Sequence, residues 1–284
     1  MICEDASRSR VIHARAGVGA TATVLQREAL RFNCLTIDQP TLIVVRQGIK
    51  TLALGDAEWV VRSGEAALVS GGCRLDVANH PDTRGVYEAN WLVWDTDVLS
   101  SFSFSAPPAP YPAQKLGRLE DGFVDAFVRA REVILDGGGV SLAIAQHRIK
   151  EPLLWLDARG LNLFDAIGAP TFVERVHSIL LADPSENWLA ADVARRLAMS
   201  EATLRRHLMS ENRTFSDLLA DVRMSHPLAL LQSTDYPIGH IALEVGYESA
   251  SRFAIRFRKR FGFAPTAVRG HNRPGNSNPL SVVS

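Results

Sequence analysis

Residues 188–208, WLAADVARRLAMSEATLRRHL, encode two short helices with a tight turn between them. Trp188, Leu189, Val193, Ala194 and Leu197 recur near a 3.6-residue period, which gives the first helix one apolar face. Ala198-Met199-Ser200 interrupts the pattern. Ser200 can cap a second helix by accepting a bond from an orphan N–H, and Glu201 suits the positive helix start. Leu204 and Leu208 then face inward, leaving Thr203, Arg205, Arg206 and His207 mainly on the outer faces. A second helix locked inward with arginines outward is what a DNA-reading helix-turn-helix requires. Taken alone, the stretch fits an ordinary αα-hairpin with a charged face equally well.

The stretch has a second copy, TDYPIGHIALEVGYESASRFAIRFRKRFG at 234–262. Pro237 suits a helix start, Ile238, Ile241, Ala242 and Val245 form an inner face, and Gly246-Tyr247-Glu248 makes the turn. Ser249 caps a second helix with Phe253, Phe257 and Phe261 inward and Arg252, Arg256, Arg258, Lys259 and Arg260 around it. Between the copies, 214–233 reads as one helix with Phe215, Leu218, Leu219, Val222, Met224, Leu228, Leu230 and Leu231 as its apolar positions. Such a bridge spans roughly 27 Å. With packing at each end, it sets two recognition helices about 34 Å apart, one turn of B-DNA. A further helix, 171–182, precedes the pair.

Upstream, short β-branched or aromatic runs alternate with turn signals. The runs are 34–37, 41–46, 51–54, 58–61, 66–69, 75–78 and 86–94, with a possible first strand near Thr23–Gln26. They predict a small antiparallel barrel or sandwich with room for a small ligand. Arg46, Trp59, Arg62, Tyr87 and Trp91 are the ligand-binding set this suggests, with Lys50 and Trp94 as further strand residues able to line a pocket. Helical patterns follow at 117–135 and 141–157, the latter kinked or broken at Pro152. They pack on the barrel or form a dimer seam.

The chain has 284 residues, which suggests two domains. Net charge is zero, yet residues 1–169 carry 17 Lys+Arg against 20 Asp+Glu, and residues 170–284 carry 14 against 11. The basic excess falls in the half that holds the duplicated motif, which fits a nucleic-acid partner. Three scattered cysteines give neither a disulfide framework nor a zinc site. The N-terminus lacks the pattern of a signal peptide, and no run of 18 apolar residues occurs, so a cytoplasmic protein without a membrane span is expected. No H-E-x-x-H, G-x-S-x-G or P-loop pattern occurs. The strand region holds only His80, so a cupin-type metal enzyme is disfavoured and neither catalytic residues nor a cofactor are expected.

The 188–269 stretch resembles the DNA-binding domain of the AraC/XylS family of transcription regulators. The resemblance rests on Ile241-Ala242, Gly246-Tyr247, Ser249, Phe253, Phe257, Phe261-Gly262, Pro265 and Arg269. It implies an α+β chain: a cupin-like sensory barrel over 1–112, a helical dimerisation region over 113–168, a double helix-turn-helix domain over 169–271 and a disordered tail at 272–284. It places base contacts on Ala202, Arg205 and Arg206 in the first unit and on Ala250, Ser251, Ala254 and Ile255 in the second. Phosphate contacts fall on Ser200, Thr203, Ser249, Arg252, Arg256, Arg258 and Arg260. The implied protein is a transcription regulator, an activator modulated by a small-molecule effector or by dimerisation. Its partners would be double-stranded promoter DNA, RNA polymerase and a second copy of the chain. A ligand-independent repressor is the alternative.

Three positions depart from the family pattern. Ile255 stands where an arginine is common, which weakens base reading by the second unit. Ala198 stands where glycine is frequent, at a cost on the order of 1 kcal/mol if φ is positive there. Pro227 falls in mid-bridge and predicts a bent or interrupted helix.

Overall fold

The computed structural model describes residues 11–107, 111–162 and 171–269. The expected tail at 272–284 and the expected boundary between the helical region and the double helix-turn-helix domain, at 168/169, lie outside the described residues.

Ten strands precede the main helices: β1 (His13–Arg15), β2 (Gly19–Gln26), β3 (Leu30–Ile37), β4 (Thr41–Gln47), β5 (Ile49–Leu54), β6 (Ala57–Arg62), β7 (Glu65–Val69), β8 (Cys73–His80), β9 (Tyr87–Trp94) and, after the short helix α1 (Thr96–Ser100), β10 (Ala113–Arg118). They form two antiparallel sheets, one ordered β1-β2-β9-β4-β7-β10 and the other β3-β8-β5-β6. The strands therefore make two open sheets instead of one closed barrel. Their facing residues, among them Val45, Val69 and Ala89 from the first sheet and Leu52, Val61 and Val77 from the second, share one core.

The six-stranded sheet is covered on both sides. In β4, Ile43 and Val45 face the other sheet, whereas Leu42 and Val44 face two helices, α2 (Asp121–Leu135) and α3 (Leu142–Ala158). This double burial explains why β4 and β7 read as unbroken apolar runs where a half-exposed strand would alternate. Helix α2 starts at Asp121 and not at 117, because 113–118 completes the sheet as β10 against β7.

The remaining elements are α4 (Phe172–Leu181), α5 (Ala190–Arg196), α6 (Glu201–Ser210), α7 (Phe215–Ser233), α8 (Ile238–Glu244), α9 (Ala250–Phe261) and α10 (Pro265–Val268). The bridge helix α7 is not interrupted at Pro227, nor is α3 at Pro152. A proline removes one N–H donor from each helix. Both rings are buried, and apolar neighbours anchor each helix on both sides: Met224, Leu228 and Leu231 in α7, Ile149, Leu153 and Leu156 in α3. Packing outweighs the lost bond. The 19 residues of α7 span roughly 28 Å. Among the described residues, no helix is long and apolar enough to cross a membrane.

Candidate nucleic-acid interface and the cavity behind it

The first unit, α5–α6, is set by its turn. Ala198 N–H donates to Arg195 O at 3.1 Å and Met199 N–H to Ala194 O at 3.0 Å, with Ala198 at φ +53°. The condition under which alanine carries a cost at this position, a positive φ, is therefore met. Ser200 caps α6 by accepting from the Thr203 amide at 3.1 Å. Leu204 and Leu208 are buried with Val193, Ala194 and Trp188, and with Val176 and Leu180 of α4. Leu189, read as part of the apolar face, is 58% exposed because it precedes α5 at the cap position. The outer side of α6 presents Ala202, Arg205 and Arg206, all exposed. Arg205 pairs with Glu201 one turn earlier, and Arg206 Nη2 reaches Thr203 Oγ1 at 3.4 Å. Thr203 is half-buried and Ser200 exposed beside them.

The second unit repeats this geometry. Gly246 N–H donates to Leu243 O at 3.0 Å and Tyr247 N–H to Ala242 O at 2.9 Å, with Gly246 at φ +76°. Ser249 accepts from the Arg252 amide at 3.3 Å. Phe253, Phe257 and Phe261 are buried in line along α9. Ala250, Ser251, Ile255, Arg252, Arg256 and Arg258 are exposed and Ala254 is half-buried. Arg252 is paired with Glu248.

Arg260 is placed elsewhere. Its guanidinium donates to Asn33 O and Cys34 O, each at 2.9 Å, across 227 and 226 residues of sequence. Those carbonyls belong to a bulge in β3, where the register shifts between Phe32 and Leu35 and Cys34 takes φ +51°. In this arrangement Arg260 anchors α9 to the strand domain instead of facing a phosphate. Phe32 reinforces the contact, with its ring edge-on to Phe261 and Phe263 at 5.8 and 5.4 Å. Buried Asp221 of α7 gathers Arg213, Arg74 at 3.3 Å and Arg260 at 3.5 Å, tying β8, α7 and α9 together.

Behind α7 lies a cavity of about 450 Å³, lined by the inner strand face and by α7 residues from Ser225 to Ser233. Tyr87 and Trp91 line it as expected, but Arg46, Trp59 and Arg62 do not. Arg46 and Arg62 are exposed, and Trp59 packs edge-on against Tyr111 at 6.3 Å. Alternation turns Arg46 and Arg62 away from this cavity, whereas Trp59 shares the face of Val61 and packs against the same core without lining it. Lys50 lines the cavity, as do Asp38 and His226; its ammonium donates to Asn79 Oδ1 at 3.0 Å and sits 5.8 Å from the Tyr87 ring centre. Burial pushes Lys50 down to about 8 and the Tyr87 phenol up. Asn79 in turn donates to Gln26 Oε1 at 3.1 Å, so the ammonium's partners are neutral. Tyr87 Oη and Ser233 Oγ are buried with no hydrogen-bond partner among the described residues. A buried cation with neutral partners and unused hydroxyls close by suits an anionic head group.

Residues 193–271 match the family model described as a helix-turn-helix domain. The HTH-type transcriptional activator FapR of Escherichia coli is 35% identical over 105 residues, covering 37% of this chain and 40% of that protein. Transcriptional activator PerA of Escherichia coli O127:H6 is 32% identical over 110 residues, covering 39% and 40%. The match thus spans about two fifths of these relatives' length. Unsaturated fatty acid-bound ToxT from Vibrio cholerae superposes with a TM-score of 0.62 at 15% identity, over 91% of this chain and 94% of that one. Shared fold therefore extends well beyond shared sequence. The C-terminal part of this chain, residues 193–271, thus matches a helix-turn-helix domain.

Proposed function

We propose that the chain is a DNA-binding transcription activator. One observation carries this: two serine-capped helix-turn-helix units stand at the ends of one unbroken 19-residue helix, and α6 presents Arg205 and Arg206 to solvent. Arg205 and Arg206 read guanines, Ile255 makes at most a methyl contact, and Arg252, Arg256 and Arg258 anchor phosphates. RNA polymerase and a second copy of the chain are the protein partners. Footprinting on DNA upstream of its own gene tests the reading. Two protected segments about one helical turn apart are expected, and both should be lost with Arg205→Ala plus Arg206→Ala. Protection that survives the double substitution would overturn it.

The effector is an organic acid with an apolar tail, its carboxylate on Lys50 and its tail among Leu52, Val77 and Leu228. The buried ammonium supports this, as does the fatty acid bound by ToxT. Such a ligand should raise the melting temperature, and its methyl ester should not. Affinity is expected to fall above pH 8, as Lys50 loses its proton. Lys50→Met should abolish the effect.

A further inference from the structure

The six-stranded sheet carries a second, larger cavity on its other face. It has a volume of about 930 Å³ and lies between α2 and strands β2, β4 and β9, with no residue of the C-terminal helices in its wall. Arg46, Arg118 and Arg131 line it, against the acids Glu88 and Asp121. Among the described residues, none of the three arginines lies within ion-pairing distance of a carboxylate.

Arg131 is held in position by a relay of neutral groups. Its Nε donates to Thr21 Oγ1 at 2.9 Å and its Nη2 to Thr23 Oγ1 at 3.2 Å. Both hydroxyls spend their own protons elsewhere: Thr21 on Trp91 O at 2.5 Å, Thr23 on Asn90 Oδ1 at 2.8 Å. They can therefore only accept from Arg131. The guanidinium is fixed without being neutralised, and its Nη1 donors have no acceptor among the described residues. Burial and the nearby Arg46 charge push it down to about 10, against the pull of Glu88. A desolvated cation of this kind is costly until an anion meets it, and a guanidinium fork suits a planar carboxylate. The same helix gives the cavity an apolar stretch, Val124, Phe127 and Val128, with the Phe127 ring centre 5.9 Å from the Arg131 guanidinium.

We propose that this cavity is a binding site for a small organic acid, its carboxylate held by Arg131 and Arg46 and its apolar body laid on Phe127 and Val128. The site is separate from the Lys50 cavity and does not depend on the reading of that cavity. Calorimetric titration of the full chain with cyclohexanecarboxylate tests it. In the Lys50→Met chain, which lacks the other acid site, saturable one-to-one binding is expected, with at least tenfold loss when Arg131→Lys is added, which keeps charge but not the fork. The exposed Arg46→Ala should lose at least threefold with an unchanged melting temperature. The neutral carboxamide should not bind. Four results would overturn the proposal. One is no saturable binding to the unsubstituted chain. A second is binding lost in Lys50→Met but kept in Arg46→Ala, which would place the acid in the other cavity. A third is inorganic phosphate binding as tightly, which would leave the apolar wall without a role. The last is a dimer that Arg131→Lys converts to monomer with no acid bound, which would make the cavity a contact between copies.

Discussion

The two helix-turn-helix units share a backbone plan and differ in what they rest on. The first closes its own core, with α4, α5, α6 and the start of α7 burying Val176, Leu180, Val193, Leu204, Leu208 and Val222 together. The second has no such independence. Phe253, Phe257 and Phe261 belong to the same continuous core as Phe32, Leu52 and Val77 of the strand domain. The first unit offers arginines at its reading positions, and the second offers alanine, serine and isoleucine there. The unit with its own core thus carries the exposed arginines. The unit that shares the strand domain's core follows the α7 segment that walls the Lys50 cavity.

The largest expected effect tests the shared core. Phe32→Ala should cost about 3–5 kcal/mol. It should also raise amide exchange in α9 while leaving α6 unchanged, and equal loosening of α6 would erase the distinction between the units. Next comes base reading. Arg206→Ala should lose about 1–3 kcal/mol of specific DNA binding by fluorescence anisotropy, and Ile255→Ala much less. Equal losses would mean that both units read sequence. The turns come third. Ala198→Gly should stabilise by about 1 kcal/mol by relieving a positive φ. Gly246→Ala should destabilise, because its Cβ would stand 2.9 Å from Ser185 O. Melting curves of the two variants should move in opposite directions. Smallest is the phosphate face. Arg256→Ala and Arg258→Ala should each reduce the salt slope of DNA binding by about 1. Arg260→Ala should leave it unchanged, since its guanidinium is spent on Asn33 O and Cys34 O.

The units were legible because their signals are local. Ser200 and Ser249 cap within three residues, and the apolar positions of each helix recur within four. The positive φ of Ala198 could be anticipated from its place in the turn. The strands were legible as runs, but not their partners. Nothing near 113–118 announces a tenth strand, because its pairing with Glu65–Val69 is supplied by a distant segment. The prolines misled for the same reason. Pro152 and Pro227 break helices by local preference, and here buried neighbours on both sides hold each helix together. Among the ligand candidates, Tyr87 and Trp91 line the cavity behind α7, whereas Arg46 lines the one beneath α2. Arg131 drew no notice, since a lone arginine on a helix reads as a solvated charge until Thr21 and Thr23 are brought beneath it.

Sequence alone determined that this chain carries two capped helix pairs on one bridge, because hydrogen-bond capping and helical periodicity act over three or four residues. Only the tertiary structure decided that one pair closes a core of its own while the other shares the strand domain's core and is bolted to a strand bulge. It likewise decided which charges face each cavity, where, among the described residues, neither Lys50 nor Arg131 makes an ion pair with a carboxylate. Contacts spanning more than 100 residues leave no periodic trace in the sequence, and burial, which sets the cost of those charges, exists only once the sheets and helices have met.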